Sequence, residues 1–376
     1  MKKPLSAFIR EYSARNKNEA CSAVYSVTNS HGFMPSTEYF SKEVFSKDLS
    51  TYKIVKKGMI AYNPSRINVG SVAVQRTAEQ VIVSPLYVVF EVNEKELLPE
   101  YVSYFLHSDI GLAQIAMNTL GSVRDSLKFN ALQKIEINVY SVEEQRRVVD
   151  KLQRLEAISL KKRKVLEKFE DLVKSQFIEM FGDFSLRNMK PDWVKVGAIA
   201  EVVGGSTPKT DRSEYWGGNN YWVTPAEIKE DDFIITQTQR SLTEKGVSSC
   251  SLRCLPVGTV LLSSRAPIGK VAIAGVEIYC NQGFKNLICG KKLNPVYVYV
   301  LLKYNSDYLN SLGRGATFKE ISKSIVENIY IPVPTIDRQK EFERFVEQTD
   351  KSKFRIKQSL EKLEKCYKAL LQKYFG

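Results

Sequence analysis

Two stretches of the chain announce themselves by their apolar spacing. Residues 142–181 and 336–375 contain neither Gly nor Pro. In the second, Ile356, Leu360, Leu363, Tyr367, Leu370 and Tyr374 recur at alternating steps of four and three. The first carries Leu152, Leu155 and Ile158, then Leu166, Phe169, Leu172 or Val173, Phe177 and Met180, with charged residues on the remaining faces. This period predicts two long helices with a coiled-coil-like stripe. About 39 helical residues at 1.5 Å each make a rod of roughly 55–60 Å. So long a helix needs a partner for its stripe, and the equivalent helix is the nearest at hand. The packing positions are therefore expected at Leu152, Leu155, Leu166, Phe169 and Phe177 on one helix. On the other they are Ile356, Leu360, Leu363, Tyr367 and Leu370. An antiparallel pair would place a globular domain at each end and act as a spacer. The run Lys161-Lys162-Arg163-Lys164 points around most of the circumference and reads as a solvated face.

The same grammar precedes each helix. An alternating, strand-like run comes first, Ile135-Glu136-Ile137-Asn138-Val139 in one place and Ile329-Tyr330-Ile331-Pro332-Val333 in the other. A break follows at Ser141 or at Pro334-Thr335, then an acidic first turn, Glu143-Glu144 or Asp337. Laying Gly121 on Gly315, an offset of 194, keeps one register to the end of the chain. Ile135, Ile137, Val139 and Gln145 fall on Ile329, Ile331, Val333 and Gln339, and Phe181-Gly182 falls on Phe375-Gly376. Leu127 meets Ile321, Val142 meets Ile336 and Val148 meets Phe342. The chain is written twice.

Residues 1–120 and 183–312 show no convincing alignment with each other, yet both read as mixed α/β domains. The first has strand-like Tyr52–Val55, Ser71–Val74, Val81–Val83 and Tyr87–Phe90, then a helix from Pro99 to Leu106. The second has Thr259–Leu262, Lys270–Ile273 and Phe284–Cys289, then a helix from Pro295 to Tyr304. A repeated frame with unlike inserts suits a reader of two different targets. Polar, turn-rich stretches with aromatics beside them supply the candidate contacts: Asn63, Ser65, Arg66 and Asn68 in the first insert, and Ser206, Thr207, Lys209, Thr210, Asn219, Asn220, Trp222 and Arg265 in the second. Arg and Lys suit guanine edges, Asn and Gln suit adenine edges, and Ser and Thr suit phosphates. Turns are also polar for their own reasons, so solvated loops are the competing reading.

Composition narrows the partner. A net charge of +13 spread along 376 residues points to an anion such as nucleic acid. No run of about 18 apolar residues exists to span a membrane, and Met1-Lys2-Lys3 leads into no signal-peptide core, which predicts a cytoplasmic protein. The six cysteines are then reduced thiols. Cys250 and Cys254, followed by Cys280 and Cys289, could be drawn as a zinc site, but the spacing is not that of a zinc ribbon, and core thiols are the better reading. Catalytic motifs are missing. Asn63-Pro64-Ser65-Arg66 and Asn294-Pro295-Val296-Tyr297 lack the second proline of a base-extruding methyltransferase loop. No phosphate-binding glycine loop appears, and Glu227-Ile228-Lys229 resembles only the end of a nuclease motif. Two histidines leave little for a triad or a metal.

These residues resemble one family over essentially the whole chain, the specificity subunits of type I restriction–modification enzymes. The resemblance is carried by the junction Ile329 to Gln339, its degenerate copy Ile135 to Gln145, and the long helix after each. Gly313-Arg314-Gly315-Ala316-Thr317 looks like the turn before that junction. Trp193 to Gly197, leading to Gly204-Gly205-Ser206-Thr207-Pro208, looks like the opening of a target-recognition domain, and Tyr62 to Gly70 resembles a segment of another subtype. One departure stands out: the 194 offset would put the first copy's opening before Met1, so the first domain is expected to start short.

The resemblance implies an α+β fold, with two mixed α/β target-recognition domains separated by two long antiparallel coiled-coil helices and a pseudo-two-fold internal repeat. The boundaries are expected at 1–141, 142–182, 183–335 and 336–376. It further implies that each domain reads half of a bipartite site on double-stranded DNA while the helices fix the gap. Two methyltransferase subunits would bind S-adenosylmethionine and methylate adenine, and restriction subunits would use ATP and Mg; this chain would hold no cofactor or metal and do no chemistry. A self-sufficient DNA-modifying enzyme and a coiled-coil adaptor without DNA binding are the alternatives.

Overall fold

The computed structural model describes the chain except for residues 18–20, 30, 40–45, 47, 120–125, 184, 230–231, 251 and 316–318. Gly121, which anchors the repeat register, and Ala316-Thr317 of the expected turn lie outside the described residues. Both long helices form, Val142–Phe181 and Ile336–Phe375. The chain divides into two compact units, one of residues 1–163 with 357–376 and one of residues 164–356. Each unit thus contains part of both helices. Among the described residues no helix is long and apolar enough to cross a membrane.

Within each unit the two helical segments run antiparallel. In the first, the Tyr374 hydroxyl donates to Glu144 (3.0 Å), the Tyr367 hydroxyl to Glu156 (3.0 Å), and Arg163 meets Glu364 (3.1 Å), so numbers rise on one segment as they fall on the other. In the second, Lys353 pairs with Glu170, and the Phe342 ring lies 5.4 Å from Phe177 and 5.5 Å from Phe181. The stripe residues distribute accordingly. Leu152 and Leu360 are buried in the first unit, with Leu155, Leu363, Tyr367 and Leu370 half-buried. Phe177 is buried in the second, with Leu166, Phe169 and Ile356 half-buried. Of the alternative pair, Val173 turns inward and Leu172 outward; Ile158 is also exposed.

The two inserts prove to share one scaffold. In the first unit the strands Ile9–Glu11, Val88–Val92, Ile60–Tyr62 and Val72–Val74 lie side by side in that order, all antiparallel. In the second, Ala200–Gly204, Lys285–Cys289, Val260–Leu262 and Val271–Ala274 repeat the order, and Ile234–Ile235 adds a parallel edge. The counterpart of Val260–Leu262 is therefore Ile60–Tyr62, which the sequence reading passed over; Lys53–Lys56 pairs separately with Gln80–Val83. After each sheet comes a Pro-initiated helix, Pro99–His107 or Pro295–Tyr304.

The opening of the first copy is present, which corrects the expectation that its domain starts short. Lys2–Pro4 pairs with Glu136–Asn138 as Val194–Lys195 pairs with Tyr330–Ile331. The next turn docks identically: Leu5 N–H donates to Ile135 O (2.8 Å), and Val196 N–H to Ile329 O (2.9 Å). Leu5 and Val196 stand 191 apart, Ile60 and Val260 stand 200 apart, and Pro99 and Pro295 stand 196 apart. Insertions and deletions within the inserts thus move the register away from 194, so extrapolating that offset misplaced the opening.

A buried glutamine locks each copy. Gln145 and Gln339 are both 0% exposed. Gln339 Oε1 accepts Asn294 N–H (2.8 Å), and its Nε2 donates to Lys292 O (3.0 Å) and Pro334 O (2.7 Å). Gln145 does the same with Leu98 N–H (2.9 Å), Glu96 O (2.8 Å) and Tyr140 O (2.9 Å). One side chain thereby ties the start of the long helix to the loop before the domain helix. The domain helix answers with a tyrosine: Tyr101 donates to Asn138 O and Tyr297 to Pro332 O, both at 3.1 Å.

Replacing Gln339 by Leu keeps the bulk but strands one N–H and two carbonyls away from water. An orphaned buried polar group costs about 1–3 kcal/mol, and relaxation shares the loss, so a total near 2–4 kcal/mol is expected. Urea unfolding of the full chain measures it; a loss below about 0.5 kcal/mol would show that the latch does not stabilise the fold. Glu170 gives a second prediction. Burial pushes its carboxyl up, but the Lys353 and Lys303 ammonium groups together outweigh burial and hold it below the ordinary value. Its folded pKa is depressed, so its stabilisation is full above the usual carboxylate range and fades as pH falls through the folded value. Glu170→Gln should therefore lower stability at pH 7 and make the acid side of the stability curve flatter; parallel curves for the two proteins would refute this.

Candidate nucleic-acid interface

In the second unit, several loops leave the same end of the sheet. Gly204 closes one strand opposite Lys285, Ser263 bridges Phe284, and Ser264 N–H donates to Gly283 O (2.7 Å). These pairings bring together the loop 205–210, the bend Ser263–Arg265 and the turn Asn281–Gly283. A fourth segment joins them, because Ile321 N–H donates to Ser264 O (3.0 Å).

The loop 205–210 is held from below. Ser206 N–H donates to Cys280 O (3.0 Å), and a Cβ on Gly205 would lie 2.1 Å from that same oxygen, so only glycine permits the approach. The Trp222 indole N–H donates to Ser206 O (3.1 Å) and the Trp216 indole N–H to Lys209 O (3.2 Å). The two rings meet edge-on at 5.0 Å, and the Arg240 guanidinium lies 3.4 Å from the centre of the Trp216 ring. Thr207 bonds Gln282. Lys209 and Thr210 remain exposed, with Ser206 and Thr207 half-exposed. Trp222, proposed from sequence as a contact residue, is only 2% exposed and supports the loop instead of offering its face. Asn219 is exposed, whereas Asn220 spends its amide on Leu242 O (3.2 Å) and Glu244 (2.9 Å).

The first unit has the corresponding bend. After the strand Ile60–Tyr62, Asn63 Oδ1 accepts Ser65 N–H (3.0 Å), leaving Ser65, Arg66 and Asn68 exposed. Leu127 N–H donates to Pro64 O (2.9 Å), as Ile321 N–H does to Ser264 O. Leu127 and Ile321 are partners in the 194 register, and Ile60–Tyr62 is the structural counterpart of Val260–Leu262. Two stretches chosen separately for their polarity, around Asn63–Asn68 and around Arg265, thus occupy one equivalent bend in the two copies.

Sequence reasoning overlooked Gln282, Lys285, Arg240 and Glu320 at this end of the second unit. The dipeptide Gln282-Gly283 before a strand was an available turn signal for the first. Nothing local marks Glu320, which reaches the cluster through a long-range backbone pairing. The remaining chemical candidates resolve differently. Glu227, from the nuclease-like tripeptide, spends its carboxylate accepting Thr224 N–H (2.8 Å), the Thr224 hydroxyl (2.9 Å) and Gln239 N–H (2.6 Å), a loop-closing role. Burial pushes the Cys280 and Cys289 thiols up to about 12, which suits inert core thiols. Among the described residues no group of three or more His, Cys, Asp and Glu could hold a metal ion.

The type I restriction modification DNA specificity domain matches residues 12–170 and again residues 191–365, and the chain belongs to that family. It is 38% identical over 209 residues to the specificity subunit of the type I restriction enzyme MjaIX of Methanocaldococcus jannaschii, covering 54% of this chain and 48% of that protein. It is 26% identical over 174 residues to the EcoR124I/EcoR124II specificity subunit of Escherichia coli, covering 44% and 42% respectively. The chain therefore spans about half the length of these relatives. A putative MjaX specificity subunit of M. jannaschii is 23% identical over 359 residues, covering 88% of this chain and 81% of its own. In fold the chain is similar to one solved in a study of complex assembly and conformational transition in a type I R-M system (TM-score 0.63, 20% identity, 100% and 97% of the two chains). It is also similar to the S subunit of such a system from M. genitalium (TM-score 0.59, 14% identity, 100% and 96%).

The indole clamp is testable without any ligand. Changing Trp216 and Trp222 to Phe removes two N–H donors, each worth about 1 kcal/mol, or roughly fivefold in local opening. Trypsin should then cut after Lys209 or Arg212 on the order of ten times faster than in the parent chain under native conditions. An unchanged cleavage rate would mean that the loop does not depend on the indoles.

Proposed function

We propose that this chain is the DNA-specificity subunit of a type I restriction–modification enzyme, with each copy of the repeat reading one half of a bipartite duplex site. The observation that carries the reading is the equivalent bend: one scaffold presents Asn63, Ser65, Arg66 and Asn68 in the first copy, and Arg265 in the second, where the loop with Ser206, Thr207, Lys209 and Thr210 lies beside it. A shared frame with unlike polar edges is what recognition of two unlike sequences requires. The net charge of +13 favours phosphate contact, which supplies affinity, while the loop side chains choose bases. In this reading residues 1–141 and 183–335 are target-recognition domains, and residues 142–182 and 336–376 are spacer helices that set the gap between half-sites. The subunit itself is non-catalytic and works on DNA in the cytoplasm.

Methyltransferase subunits, binding S-adenosylmethionine and modifying adenine in each half, are the partners this function needs, with ATP- and Mg-dependent restriction subunits beyond them. Exposed apolar positions on the first long helix support such docking. Val165 and Leu172, seven residues apart, are 41% and 45% exposed, and Ile158, Leu160 and Ile178 on the same helix are exposed as well.

Mapping methylated adenines in cells with and without this gene tests the function; an unchanged pattern, together with duplex binding that is insensitive to salt, would overturn it. The spacing role has its own test. Inserting four residues in both long helices adds about one turn, or roughly 6 Å, comparable to about two base pairs. The methylated half-sites should move apart by that amount while each half keeps its bases, and an unaltered gap would refute the spacer.

A further inference from the structure

An anionic side chain sits among the cations of the second unit's bend. The Glu320 carboxylate lies 3.2 Å from Lys285 Nζ, 3.4 Å from the Ser264 hydroxyl and 3.8 Å from the Arg265 guanidinium. Its backbone is fixed by two bonds with Arg314, Glu320 N–H to Arg314 O and Arg314 N–H to Glu320 O, both at 3.0 Å. Lys285 is largely enclosed, its side chain 13% exposed, whereas Glu320 and Arg265 keep 40% and 36% of theirs open. Those two line a cavity of about 480 Å³ together with Ala266, Pro267, Ile268 and Lys319. In the first copy the residue in register with Glu320 is Ser126, so the acid is a property of one reader and not of the scaffold.

A carboxylate at an edge that meets DNA repels phosphate and clashes with the acceptor atoms of purine edges. It fits only where a base offers an amine. A guanidinium beside it has the opposite preference, for the two acceptors of guanine. We propose that Glu320 and Arg265 together read a G·C pair in the half-site of the second unit. Glu320 accepts from the cytosine amino group, and Arg265 donates to the guanine edge. Lys285 and Ser264 hold the carboxylate in place, and its charge rejects pairs that present an acceptor there. The inference rests on the DNA-reading function proposed above and assigns one base pair within it.

The test uses the full chain and a random duplex library, sequencing what binds at low and at moderate salt. The parent chain should enrich a motif with one G·C pair that Glu320→Ala loses, with about tenfold less discrimination at that position. Binding to unrelated duplex should hold or strengthen, because an anion has been removed. Glu320→Gln, which keeps an acceptor but adds a donor, should relax that same position, and Arg265→Lys, which loses the fork, should relax it too. The half read by the first unit should not change. Enrichment that is the same for parent and variants, including none for either, overturns the assignment. If binding still weakens steeply with salt in that case, the DNA-reading function survives it; if no duplex binds at all, both fall.

Discussion

A helix of forty residues cannot carry its apolar stripe into water, and the rest of this molecule follows from where that stripe is covered. Each unit buries the beginning of one long helix against the end of the other. In the first unit Phe375, only 2% exposed, lies 4.8 Å from the Tyr101 ring and 5.8 Å from Phe105. In the second, Phe181 lies 5.0 Å from Tyr297. Phe375 is thus a core residue of a unit whose other parts, residues 1–163, lie far away in sequence, whereas Phe181 closes the core of a unit that is one continuous stretch, residues 164–356. The first unit closes its core only when the end of the chain returns to it, a contact with a high cost in loop entropy. That cost is offset by aromatic burial and by the polar ties between the segments, such as Tyr374 to Glu144.

What the two copies keep and what they change divides by physical role. The glutamine latch, the domain-helix tyrosine and the docking turn at Leu5 or Val196 satisfy buried backbone groups, and an unsatisfied group there costs as much in either copy. These features repeat almost atom for atom. Packing repeats more loosely: Phe342 in the second copy stands where the first has Val148, and both are buried. The bends at the sheet edge share only their backbone geometry. Ser65 and Arg66 on one side, and Arg265 with Glu320 on the other, are free to differ because their side chains keep contact with solvent and are not tied to a buried backbone group.

The same division explains what could be read from the sequence. The long helices were legible to the residue, since forty positions without Gly or Pro and with a 3.5-residue stripe have few other solutions. The repeat was legible where its register is rigid, from the strand before each helix onward. It was not legible across the inserts, where offsets run from 191 to 200 and three-residue strands such as Ile60–Tyr62 carry too little periodicity to stand out. Of the site, polar bends such as Asn63–Asn68 could be found because turn chemistry is local. Glu320 could not, because only the backbone bond from Ile321 N–H to Ser264 O brings it to Arg265. Trp222, a candidate contact residue in the sequence, holds the loop through its N–H and has its ring covered.

In the function proposed above, the indole clamp also bears on how a loop could discriminate between bases. A base edge is told from its neighbour by displacements of about an ångström, and a loop free to follow the wrong base would lose that distinction. Here the glycine at 205 lets the loop lie directly on Cys280, two indoles hold it at Ser206 and Lys209, and Thr207 is tied to Gln282. The loop 205–210 is therefore settled before any partner arrives. Its exposed ends, Lys209 and Thr210, project from a backbone whose position the second unit's own core has fixed. Specificity in such a design comes from rigidity in the supporting residues and variety in the exposed ones, and for that reason a single scaffold can serve both copies.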